Sequence, residues 1–558
     1  MVLLGLALLA ALALATFVPS DPVFQRAPVG NRAGILGATA AALLFGIPYL
    51  PFQDLPSHAL LLTYDRMLGP QGNAWLERPE SVSFGYTMYV WVARFCAPVL
   101  SIDGVLRLLA VAAVLGLPLA TTRLAAVLGV PWALAGLLAL PFALGWPLRM
   151  GLLSFVLGVP LALVSAACAV RACRASSARA VAGLAIASAA AYVTHAFAFG
   201  LALALVILVA ATSEGRSWRG ASRLALALLP AALLVAWDGA HGAWRPTAAA
   251  SPISAPERAA RFRPIGEALS HVACRTYGIP RPSSLPFYLP HLGVIVAGLM
   301  LLARGREAVP IDPGARRALL CGGTLLTLGT VLLPDSAGRA YLLGSRPAVA
   351  GMCVAAIAAA ATLGARSARV RWTAAAAALL ACAASGAGIA RDARLVEAVV
   401  GPRPPRNVQG NVLVVRAGEC RLGASSNWGA WDPLRMTWAY ALSPAASAPY
   451  LFAEHRYDMV WFRPGALPMH PPAGRALSDE RDLDPAACAR RNHERLERTL
   501  RIPGYDGVIV VGTPDTGRRT LEESGVRDPI RLAPGMWLLS RPAAPERDRA
   551  AAPPRSGT

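Results

Sequence analysis

From Arg316 to Pro334 the chain reads RRALLCGGTLLTLGTVLLP, and from Arg346 to Arg371 it reads RPAVAGMCVAAIAAAATLGARSARVR. Each apolar run approaches the roughly 20 helical residues that cross a hydrocarbon core. Arginines stand at the start of the first run and beyond the end of the second, so the pair enters and returns with its basic ends on one side. Short arginine-rich connections belong in the cytoplasm, which puts the link from Pro334 to Arg346 on the outer side.

Working outward, apolar runs recur at 2 to 18, 34 to 50, 104 to 121, 131 to 146, 150 to 170, 179 to 195, 197 to 213, 222 to 237, 288 to 303, 317 to 334, 346 to 363 and 372 to 390. The fold class is therefore a polytopic α-helical membrane bundle of about 12 spans, carrying a C-terminal soluble α/β domain. Basic loops alternate as this requires: Arg171, Arg174 and Arg179; Arg216, Arg219 and Arg223; Arg304, Arg306, Arg316 and Arg317; Arg366, Arg369 and Arg371. The first run lacks a basic leader and a small-residue cleavage site, so it is expected to stay as a helix. The run at 85 to 100 has Arg94 in its middle and is expected not to cross, against a second reading in which it crosses and a neighbouring run does not. Outer loops then occupy 51–103 and 238–287 of a bundle spanning 1–391, with a linker at 392–410, an outer domain at 411–545 and a disordered tail at 546–558.

Composition agrees. Of 558 residues 55% are hydrophobic, and the mean hydropathy is +0.48, above the usual soluble range. The net charge is +21, but the basic residues gather at the ends of apolar runs instead of forming one stripe, which argues against nucleic acid. All 53 cations are arginine, as in a GC-rich bacterial genome, so the expected location is the bacterial cytoplasmic membrane. The absence of lysine excludes Schiff-base chemistry and a phosphate-binding P-loop. Nine cysteines show no metal-ligand spacing, and no metal site or cofactor is expected.

The loop after the second run reads Pro51-Phe52-Gln53-Asp54-Leu55-Pro56-Ser57-His58. Prolines on both sides fix the backbone around Asp54. A carboxylate beside an imidazole four residues on can take a proton from a hydroxyl. The same residues also read as a helix cap, with Asp54 before a helix that has proline in its first turn.

An outer loop with an acid, then a proline and histidine, then an aromatic amphipathic stretch, resembles the C-type glycosyltransferases. These multispanning enzymes take a sugar from a polyprenyl phosphate, and include protein mannosyltransferases and lipid A aminoarabinose transferases. The resemblance covers the span pattern over 34 to 390, and its residue-level match is the D-L-P-x-H stretch at Asp54 to His58. It implies that Asp54 is the catalytic base, with His58 beside it. Many members pair two acids here, whereas Asp54 follows Gln53 and the next acid is Asp65, which implies metal-free transfer. The implied partners are membrane lipid, a polyprenyl-phosphate sugar donor, and a glycan, lipid or protein acceptor.

Such a donor needs cations near the outer face, and the bidentate fork of arginine suits a phosphate. Arg339, Arg346 and Arg149 lie on that side and are the candidates, against the alternative that they snorkel to headgroups. His195, where two apolar runs join, is a further substrate-binding candidate, since an ionisable residue there is costly to keep. Trp237, Asp238 and His241 form a similar group at the next outer helix end.

Beyond the Gly401-Pro402-Arg403-Pro404-Pro405-Arg406 stretch, strands are expected at Asn411 to Val415, Gly507 to Val511 and Met536 to Ser540. Helices are expected at His493 to Leu500 and up to Glu523, giving a small α/β domain able to fold alone. Cys420 and Cys488 would permit a disulfide on an oxidising side. The rival reading of the whole chain is a non-catalytic lipid-linked sugar carrier or assembly scaffold, in which Asp54 only caps a helix.

Overall fold

The computed structural model describes residues 44, 46–67, 76–77, 84–175, 177–212, 218–241, 262, 265–279, 282–334, 336–337, 340–341, 346–417, 433–434, 436–448, 461–462, 485–502 and 505–540. The runs at 2 to 18 and, for the most part, 34 to 50 lie outside these residues, as do Arg339 and Cys420. The disulfide expectation therefore falls outside them too.

Among the described residues, the bundle begins with α1 (Leu55–Met67), α2 (Met88–Cys96), α3 (Ile102–Val127), α4 (Trp132–Ala143), the single turn α5 (Trp146–Arg149), α6 (Leu153–Ala175), α7 (Ala178–Thr194), α8 (Ala196–Thr212) and α9 (Trp218–Ala240). It continues with α10 (Ile265–Tyr277), α11 (Leu289–Ala303), α12 (Pro313–Leu332), α13 (Pro347–Leu363) and α14 (Ala368–Val400). Five segments are long and apolar enough to cross a membrane, namely Ile102–Val127, Trp132–Arg149, Leu153–Arg174, Gly220–Ala240 and Ala368–Val400, and four shorter apolar helices accompany them. This is a multi-pass membrane protein. α2, at nine residues, is too short to cross.

Small residues let the helices approach closely. Every residue of α13 from Pro347 to Leu363 is buried, and a side chain at Gly298 of α11 would meet the Ala359 backbone at 2.4 Å. Arg107 fixes the chain that leads to Asp54. Its guanidinium donates to the carbonyls of Leu44, Ile47 and Pro48 at 2.8, 2.7 and 2.6 Å, the groups a helix end leaves unpaired.

The last helix corrects the expected boundary. α14 runs 33 residues to Val400, so 392–400 is helix, not linker. The charges at Arg391 and Asp392, which suggest an exit into water, are partly absorbed, because Asp392 is buried against Arg149. At about 1.5 Å per residue the helix is roughly 50 Å long, well beyond a hydrocarbon core of about 30 Å. Gly401 ends it, at φ +79°, a conformation glycine adopts freely.

The C-terminal strands β1 (Val408–Arg416), β2 (Leu442–Ser447), β3 (Gly507–Val511), β4 (Ile530–Ala533) and β5 (Met536–Ser540) form one mixed sheet in the order β2-β1-β3-β5-β4. β1 pairs parallel with β2 and β3, and β5 pairs antiparallel with β3 and β4. Helices α15 (Pro485–Leu500) and α16 (Pro514–Glu523) complete it. Side chains alternate across a strand, and here each face has its own cover. Leu413, Val415, Val508 and Val510 pack with Leu496 of α15 and Leu521 of α16. Val408, Val412, Ile509 and Val511 share a core with Leu60, Leu61 and Tyr64 of α1 and with Val396, Val399 and Val400 of α14. The domain therefore does not close its core alone: the bundle supplies the cover for one face.

Candidate functional site

The Asp54 loop is held by backbone pairing to the turn between α5 and α6. Gln53 N–H donates to Arg149 O at 2.9 Å and Asp54 N–H to Met150 O at 3.1 Å. Gly151 makes this approach feasible: it has φ +80°, and a side chain there would meet Asp54 N at 2.9 Å. Asp54 O accepts His58 N–H at 3.2 Å, which begins α1. Asp54 is 9% exposed, with Gln53 Nε2 donating to Oδ1 at 3.2 Å. The His58 ring meets Tyr89 edge-on at 5.1 Å, and burial pushes its pKa down to about 4. Asp65, the nearest further acid, is ion-paired with Arg94 at 2.7 Å.

Arg149 is 1% exposed. Its guanidinium faces Asp392 Oδ2 at 3.4 Å and donates to Ser385 O at 2.7 Å. It thus ties the turn that holds Asp54 to α14, the helix that runs on to the C-terminal domain.

His195 and Arg346, 151 residues apart, meet with Nε2 to Nη1 at 3.0 Å. His195 is the non-helical joint between α7 and α8. Phe197 N–H donates to its Nδ1 at 3.0 Å. Arg346 precedes α13 and lies over Phe155 and Phe197 at 5.6 and 5.7 Å. Phe155, in the first turn of α6, also meets the His195 ring at 5.5 Å. The N-terminal turns of α6, α8 and α13 therefore converge here, and helix N-termini favour anions.

With Nδ1 accepting from Phe197, Nε2 is the ring nitrogen that faces the Arg346 guanidinium, 3.0 Å away. A guanidinium beside three helix N-termini is an arrangement that suits an anion.

The Asp54 turn and this pair share one neighbourhood through α6, since Gly151 touches Asp54 and Phe155, four residues on, touches His195. The structure also brings in residues that the sequence reading did not assign. Tyr86, at φ +65°, packs on His195 with ring centroids 4.1 Å apart. Asp238, grouped from sequence only with Trp237 and His241, accepts from Tyr192 Oη at 2.7 Å. Its signal is a carboxylate at the end of an apolar run, which needs partners to be tolerated.

No protein-family model and no curated protein sequence matches the chain. Among solved structures, ArnT from Cupriavidus metallidurans bound to undecaprenyl phosphate matches over 93% of this chain and 99% of its own, at 11% identity and a TM-score of 0.52. The apo form of ArnT matches over 92% and 98%, at 11% identity and a TM-score of 0.50. Arabinofuranosyltransferase AftD from Mycobacteria matches over 92% of this chain and 40% of its own, at 17% identity and a TM-score of 0.48. The chain thus shares the fold of ArnT. The likeness runs over nearly the whole length of both chains, bundle and C-terminal domain together.

Proposed function

We propose that the protein transfers a sugar from a polyprenyl-phosphate donor to an acceptor at the outer face of the cytoplasmic membrane, where the C-terminal domain also lies. The observation that carries this reading is the meeting of His195 and Arg346 at three helix N-termini, beside the turn that holds Asp54. A phosphate monoester or diester suits the planar guanidinium of Arg346 at these helix ends. The bound undecaprenyl phosphate of the ArnT structure is consistent with a lipid phosphate in this fold.

In the reaction the acceptor oxygen attacks the anomeric carbon as the bond from that carbon to the phosphate oxygen breaks. Asp54 takes the acceptor's proton, with His58 neutral beside it, and the polyprenyl phosphate leaves as an anion held by Arg346 and His195. Arg149 serves through its backbone carbonyl and its anchor on Asp392, holding the turn against which Asp54 is set. Arg339 would add to the phosphate site.

The test follows a radiolabelled polyprenyl-phosphate sugar into membrane acceptors at equal protein levels. Asp54→Asn keeps the shape and the capping ability, and is expected to lower the rate by about 10²–10⁴ while leaving the protein inserted. Arg346→Ala is expected to weaken donor binding first. Full activity of Asp54→Asn reduces Asp54 to a cap, and a parent protein that consumes no such donor supports a carrier or scaffold.

A further inference from the structure

Asp238, at the end of α9, is fully buried. Its carboxylate accepts Phe84 N–H at 2.9 and 3.1 Å, Gly85 N–H at 2.8 Å and Tyr192 Oη–H at 2.7 Å. A buried carboxylate persists when such donors replace water. The clamp gathers two successive backbone N–H groups of the first outer loop onto α7 and α9. Thr87 N–H adds a bond to Val193 O at 3.1 Å. Between the two fixed points stands Tyr86, in the left-handed region at φ +65°, where a residue with a side chain is held only by its surroundings. Its ring lies on His195, centroid to centroid 4.1 Å.

We infer that Asp238 is a positioning residue for the phosphate site: by clamping Phe84 and Gly85 it sets Tyr86 against His195 and so fixes the ring whose Nε2 faces Arg346. This rests on the reading of that pair as the donor phosphate site. The path is contiguous, from Asp238 to the loop backbone, to Tyr86, to His195. Without the clamp the loop loses its charged acceptor, Tyr86 relaxes from the left-handed region, and the imidazole keeps Phe155 and the Phe197 N–H but loses the ring that backs it. The base, Asp54, is held by a separate set of backbone bonds to Arg149 and Met150. The loss therefore falls on phosphate affinity and not on proton transfer.

The experiment measures binding of undecaprenyl phosphate to the purified full chain in neutral-lipid nanodiscs, for the parent, Asp238→Asn, Tyr192→Phe and Tyr86→Ala. Asp238→Asn keeps the volume but turns an amide NH₂ toward N–H groups, and its Kd is expected to rise about tenfold, as for loss of a charged acceptor. Tyr192→Phe spares the backbone bonds and should raise Kd by about threefold. Tyr86→Ala should match Asp238→Asn. In the transfer assay the donor KM rises in the same ratio. A purely structural clamp would instead lower the melting temperature and leave the Kd of the folded fraction unchanged, which overturns the inference alone. A parent that binds no polyprenyl phosphate overturns the phosphate reading and the inference together.

Discussion

Removing Asp392 tests how the bundle holds the turn behind Asp54. The Arg149 guanidinium faces the carboxylate at 3.4 Å, both side chains being at most 4% exposed. At an effective dielectric of about 20, unit charges at this distance attract by about 5 kcal/mol. Breaking a buried pair by deleting one partner typically costs about 3–5 kcal/mol, because the other charge stays desolvated. The bond from Arg149 to the Ser385 carbonyl at 2.7 Å survives in Asp392→Ala, so the lower end, about 3 kcal/mol, is expected. That is roughly a hundredfold or more in the unfolding equilibrium. Arg149→Met should cost less, because Asp392 retains Arg391 at 2.9 Å and that guanidinium is half-exposed. Arg149→Met combined with Asp392→Leu replaces both charges by apolar groups and should recover most of the loss. The measurement is the urea midpoint of detergent-solubilised protein, followed by tryptophan fluorescence. Asp392→Ala as stable as the parent would refute the pair's importance. The bonds that hold Gln53 and Asp54 go to backbone carbonyls, so the doubly substituted protein should also retain transfer activity. A folded but inactive double variant would show that the Arg149 charge serves the donor directly.

The lowered His58 pKa makes stability depend on pH. The unfolded chain binds the proton with a pKa near 6.5 and the folded one near 4, so stability is full above about 6.5 and is lost as pH falls toward 4. Melting temperature against pH should drop less steeply over that window in His58→Gln, and a pH-independent offset between the two curves would refute this. The C-terminal sheet uses α1 and α14 as cover, so residues 405–545 expressed alone should show mixed helix and strand by circular dichroism yet bind a hydrophobic dye and self-associate. A monodisperse fragment that binds no dye would show that the shared core is dispensable.

The helical bundle was legible in the chain because lipid imposes a local rule: backbone must pair within its own segment, so each span declares itself as an apolar run. The nonspanning nature of α2 followed from Arg94 in its middle. Strands at Gly507–Val511 and Met536–Ser540 and the end of α16 at Glu523 were legible for the same local reasons, apolar β-branched runs between turn formers. Asp54 and His58 stood out as a four-residue spacing within one stretch. Tertiary structure alone decided the remainder. Arg391 and Asp392 read locally as an exit from the membrane, but Asp392 finds Arg149 across 243 positions, and the helix continues to Val400. The meeting of His195 with Arg346, and of Asp238 with Phe84, Gly85 and Tyr192, depends on which helix ends the packing of small residues brings together. A sequence records such side chains singly, because the energy that selects their partners comes from contacts between segments and leaves no periodic trace in either one.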